Sequence, residues 1–86
     1  MKVDYYNRYG DIIVFEKINS NTIKMSGFEY SRTGYNTDNE TIDFIDPSGG
    51  PYIGVGMNLN TYFNTKKNMI IKAIEFEPEN GLVLKI

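Results

Sequence analysis

Eighty-six residues with 41% hydrophobic and 23% charged side chains make one ordinary globular domain, spanning 1–86, and leave no material for a second core. The chain has no cysteine and no histidine, so disulfides, thiolate metal sites, a cysteine nucleophile and the usual neutral-pH general base are all excluded. A net charge of −2 advertises neither the basic footprint of a duplex nucleic-acid binder nor the dense acidity of a DNA mimic.

Composition sets the fold class. There is one Ala, three Leu and no Gln, whereas Ile, Val, Thr, Tyr and Phe supply 33 residues that favour a pleated surface. The expectation is a mainly β fold, a small antiparallel barrel or sandwich of about six to eight short strands. The richness in Asn, Ile and Lys points to an AT-rich gene, such as those of phages and mobile elements. The first residues lack a signal-peptide core and no apolar run reaches the roughly 20 residues of a membrane span, so the expected setting is cytoplasmic, without a membrane partner.

In chain order, a first strand is expected at about Lys2–Tyr6 and a second at Asp11–Ile18. The second carries apolar residues on both faces, Ile12 and Val14 on one and Ile13 and Phe15 on the other, as a central strand would. Asn19-Ser20-Asn21 reads as a tight turn into Thr22–Ser26, with Ile23 and Met25 facing one way and Lys24 the other. Gly27 permits a kink before a strand over 28–32, and Thr33 to Glu40 reads as an exposed loop. Thr41–Ile45 follows, with Ile42 and Phe44 inward, and runs into the turn Asp46-Pro47-Ser48-Gly49-Gly50-Pro51.

The cleanest alternation lies at Tyr52–Asn60, with Ile53, Val55, Met57 and Leu59 on one face. Leu59–Lys72 also fits a helical stripe, so one short helical turn near Thr61–Thr65 competes with strand. From Met69 to Glu77 the pattern is β again. Pro78-Glu79-Asn80-Gly81 then turns the chain into Leu82–Ile86 through an Asn-Gly hairpin signal.

Four constellations bear on function. Ser48-Gly49-Gly50-Pro51-Tyr52-Ile53-Gly54-Val55-Gly56 could expose backbone amides to an anion, but it lacks the Lys-Ser/Thr of a P-loop and the helix of a dinucleotide fingerprint. The plainer reading is a hairpin turn and a strand whose Gly54 and Gly56 make room for an aromatic neighbour or a packed backbone. Seven tyrosines are many for this length, and those beside turns suit a contact surface, although cross-strand pairing accounts for any single one. Asp38, Glu40, Asp43 and Asp46 lack the spacing of a calcium loop and read as a solvated face. Lys66-Lys67 is a lone basic pair, too little for nucleic acid.

The expectation is therefore a non-enzymatic binding protein, an inhibitor or adaptor acting by protein–protein contact or a homo-oligomer, without cofactor, metal or catalytic residue. The candidate contact residues are Arg32, Tyr35, Ser48, Gly49, Gly50, Tyr52 and Lys66. A second expectation is capture of an anionic nucleotide or phosphate by the Ser48–Gly50 amides with Arg32 or Lys66, a tyrosine stacking on the ring.

Overall fold

The computed structural model describes residues 2–6, 10, 12–27, 30–35, 42–47 and 52–86, with the backbone alone at 30–33 and 35. It is all β: the described residues contain no helix, and eight strands form one curled antiparallel sheet, a half-barrel. The strands are β1 (Lys2–Tyr6), β2 (Ile12–Asn19), β3 (Thr22–Ser26), β4 (Tyr30–Tyr35), β5 (Ile42–Pro47), β6 (Ile53–Gly54), β7 (Ala73–Glu77) and β8 (Gly81–Lys85). They lie in the order β1-β2-β3-β8-β7-β5-β4, with β6 beside β5.

Residues of period two fill the concave side. Ile13 and Phe15 of β2, Ile23 and Met25 of β3, Ile74 of β7 and Leu82 and Leu84 of β8 are all buried. Each such side chain contributes roughly 1.5–3 kcal/mol when removed from water. One sheet has only one such face, so the other half of the core must come from outside it. Leu59, Phe63, Met69 and Ile71 supply it from the irregular segment after β6 and join the same apolar cluster. Phe15 is the meeting point, its ring 5.1 Å from Tyr62 and 6.5 Å from Phe63. Tyr62 also meets Tyr5 edge-on at 5.2 Å, and its burial, with Tyr5 beside it, pushes its phenol above the usual range.

Several expectations are corrected. The alternation over 52–60 is not one strand: β6 ends at Gly54, and Gly56 at φ 91° turns the chain, a conformation costly for any residue with a Cβ. Val55 is thereby left outside while Ile53 and Leu59 stay buried. The stretch Leu59–Thr65 is a hydrogen-bonded turn rather than a helical one. Tyr62 N and Phe63 N both donate to Leu59 O and Thr65 N to Asn60 O, steps of three, four and five residues that build no regular helix. The β7–β8 connection is the expected hairpin but not an Asn-Gly pair with both residues left-handed. Glu77 pairs with Gly81 across three residues, and only Gly81 has positive φ, at 72°.

Thr33, Gly34 and Tyr35 belong to β4 rather than to a loop, and Asp46 and Pro47 to β5 rather than to a turn. In β5, Gly34 lies opposite Phe44 and Tyr35 opposite Ile42, so Asp43 is a bulged extra residue. The bulge shifts the parity, and Ile42 and Ile45, not Phe44, are the fully inward pair. Its carbonyl is still satisfied, by Val55 N at 2.9 Å. Phe44 instead spreads between two glycines, Gly34 of β4 and Gly54 of β6, and Tyr52 stacks on it at 4.8 Å. A Cβ built on Gly34 runs into the Phe44 ring.

On the convex side, Val83 is fully buried although it lies apart from the apolar cluster. The ion pair Lys85 Nζ to Glu77 Oε2, 3.0 Å, spans its register position, because Glu77 pairs with Gly81 and Lys85 lies two residues beyond Val83. Lys85 Nζ also donates to Thr22 Oγ1 at 3.2 Å, satisfying a buried hydroxyl. Asn80 Nδ2 donates to Glu77 Oε1 at 3.1 Å, and these two donors, Asn80 first and Lys85 second, hold the Glu77 carboxyl below the usual carboxylate range.

Two outcomes follow. Gly34→Ala should destabilise by about 1–3 kcal/mol in the native protein and by much less in a Phe44→Ala background, as read by urea unfolding of the four chains; equal costs in both backgrounds would contradict the Phe44 account. Because the Glu77 carboxyl is depressed in the fold, its stabilisation is present above the ordinary carboxylate range and lost as pH falls through the folded value. Glu77→Gln should therefore be less stable than the native chain at neutral pH, the gap closing in acid; a gap that ignores pH would rule this out.

Candidate functional site

The irregular segment meets the curled sheet along a line that leaves an open groove of about 400 Å³, a size within the range of ligand pockets. Its walls come from Lys17 near the end of β2, Ser20 in the β2–β3 turn, residues of the segment from Phe63 to Lys72, and Ile86 after β8. Side chains shape this region more than regular pairing does. Asn19 Oδ1 accepts from Asn21 N at 3.0 Å and tightens the turn that carries Ser20. Asn58 Oδ1 accepts from Met69 N at 2.9 Å and from Asn60 N at 3.1 Å, while its amide donates to Asn68 Oδ1 at 3.0 Å. One asparagine thus pins both arms of the segment. Backbone bonds close the wall, Lys72 N to Lys85 O at 2.6 Å and Ile86 N to Asn21 O at 3.0 Å.

The groove has an apolar floor and a cationic rim. Met69 and Phe63 reach it from the core, Ile86 is half-buried, and Ile70 is 44% exposed although aliphatic. Lys17, Lys67 and Lys72 stand around them, no carboxylate side chain lines the groove, and none of the three has an ion-pair partner among the described residues. The one ion pair described, Lys85 with Glu77, belongs to the convex face. Such a surface can hold an anion that also carries apolar bulk. Among the described residues no cluster of carboxylates could hold a metal ion.

Of the residues chosen from sequence, the two described with their side chains, Lys66 and Tyr52, do not line this groove. Lys66 is exposed in the same loop but is not part of the lining. Tyr52 is 52% exposed and stacked on Phe44, and no hydrogen bond, ion pair or ring contact joins it to Lys66. Arg32 lies opposite Asp46 and Tyr35 opposite Ile42 in the β4–β5 pairing. Ser48, Gly49 and Gly50 lie outside the described residues, as do Asp38 and Glu40 of the acidic cluster. Gly54 has the plain role foreseen for it, since its Cβ would sit 3.2 Å from the Tyr52 ring.

Lys17, Lys67 and Lys72 are what sequence reading missed. Lys17 carried a signal: it shares strand parity with the inward Ile13 and Phe15, so a charge there must stand at the mouth of the concave face. Lys67 stood out only as half of the Lys66-Lys67 pair, and Lys72 carried no signal, because the path of an irregular segment brings both to the groove.

No protein-family model matches the chain, and no curated protein or solved structure is significantly similar to it. No helix among the described residues is long and apolar enough to cross a membrane.

Proposed function

We propose that this chain is a non-enzymatic binding protein, an inhibitor or adaptor that works by contact with another protein through the groove between β2, the β2–β3 turn and the segment after β6. The observation that supports the reading is three lysines, without an ion-pair partner among the described residues, set around the exposed Ile70 and half-buried Ile86. Lysine is a strongly hydrated point charge on a flexible stem, which meets anionic groups presented at varied angles. The partner is accordingly a segment with apolar side chains flanked by Asp and Glu, the first seated on Ile70 and Ile86 and the second drawn to Lys17, Lys67 and Lys72. Capture of a nucleotide has less behind it, since the aromatic ring of the groove, Phe63, is 6% exposed and offers no face for a base to stack on.

Titration calorimetry with short peptides alternating Asp or Glu with Leu, Ile and Phe tests this, against peptides of the same apolar residues with Lys in place of the acids, and against ATP. The acidic set should bind with a dissociation constant on the order of micromolar that weakens as salt rises. Joint Lys67→Glu and Lys72→Glu substitution should weaken binding at least about tenfold while changing stability by no more than about 0.5 kcal/mol for each site, as exposed positions do. Equal binding of the basic set, tighter binding of ATP, or an unaffected double variant would overturn the reading.

A further inference from the structure

The strand order ends on β1, and the side of β1 away from β2 has no backbone pairing among the described residues. An unpaired strand edge is a template for another chain, and proteins usually guard one with a proline, a bulge or an inward-pointing charge. β1 has no proline, bulge or inward-pointing charge; its guards are its short length and the charges Lys2 and Asp4 on the exposed face, and because these are of opposite sign they attract an antiparallel copy rather than repel it.

We propose that β1 is a self-association edge at which a second copy of this chain adds its own β1 antiparallel, with the two-fold axis through Val3. The register follows from parity and charge. Residues directly opposite in an antiparallel pair share a face, so the axis must pass through a residue. An axis through Lys2 or Asp4 sets like charges against each other. One through Tyr5 leaves Asp4 facing Tyr6, and one through Tyr6 carries the partners of Asp4 and Tyr5 beyond the end of β1. Only the axis through Val3 places Lys2 of each copy opposite Asp4 of the other, making two cross-strand ion pairs on the exposed face, with Val3 meeting its own copy on the inward one. Lys2 lies opposite Glu16 in the β1–β2 register, but neither Lys2 nor Asp4 makes a direct ion pair among the described residues. The surface is separate from the lysine-rimmed groove, and the two readings stand or fall independently.

Sedimentation velocity of the full chain from low micromolar to several hundred micromolar is the test, with circular dichroism as the control for folding. The native chain should move from monomer to dimer with concentration. Lys2→Asp alone and Asp4→Lys alone should each weaken the dimer at least about tenfold, since both turn attraction into repulsion at two positions. The double exchange, Lys2→Asp with Asp4→Lys, should restore it, and an equimolar mixture of the two single variants should form a mixed dimer. A native chain that stays monomeric throughout the range would overturn the proposal, and so would a dimer that the single exchanges leave unchanged.

Discussion

A single curled sheet has one concave face and nothing of its own to cover it. In a two-layer fold a second sheet or a helix closes the core, but here the closing layer is a stretch with almost no regular structure, running from the turn at Gly56 to the start of β7. Its Leu59, Phe63, Met69 and Ile71 are as buried as the strand residues they meet, and Phe15 is gripped by Tyr62 and Phe63 together. The packing of this segment onto β2 is the contact on which the rest of the molecule depends, because without it the inward faces of β2, β3 and β8 would lie open to water.

An irregular segment can serve as a core layer only if its backbone polar groups find partners. Three cross-segment bonds, Leu59 N to Met69 O, Ile71 N to Met57 O and Gly56 N to Ile71 O, run between its two arms at 2.8–2.9 Å, and the Asn58 side chain bridges the same arms. The groove is the residue of this arrangement. Where the segment turns away beyond Phe63 it no longer matches the end of the sheet, and the gap is lined by whatever the two surfaces present there. That these include three lysines and an exposed isoleucine is what makes the gap more than a packing fault.

Hairpins were the legible part of the sequence, because turn chemistry is local. Asn19-Ser20-Asn21 reads as the β2–β3 turn, and within it the Asn19 side chain accepts from Asn21 N. The Pro78–Gly81 turn was visible as well, although the strand register chose a three-residue connection. Alternation misled where one residue could reset it. Gly56 broke the most regular run in the chain, and the bulge at Asp43 exchanged Phe44 for Ile45 on the inward face. Thr33-Gly34-Tyr35 looked like loop because nothing in it is strongly apolar, yet pairing with β5 holds it extended and Gly34 is the gap the Phe44 ring requires. The groove was almost invisible beforehand, since it joins residues about fifty positions apart through a segment with no periodicity to read.

Native-state hydrogen exchange across a urea series tests most directly whether that segment is core. The account predicts that the amides of Gly56, Leu59 and Ile71 open only with the global unfolding shared by the paired strands β3 and β8, with the same free energy and the same urea dependence. Exchange of those three through a separate, low-energy opening insensitive to urea, while β3 and β8 stay protected, would contradict it.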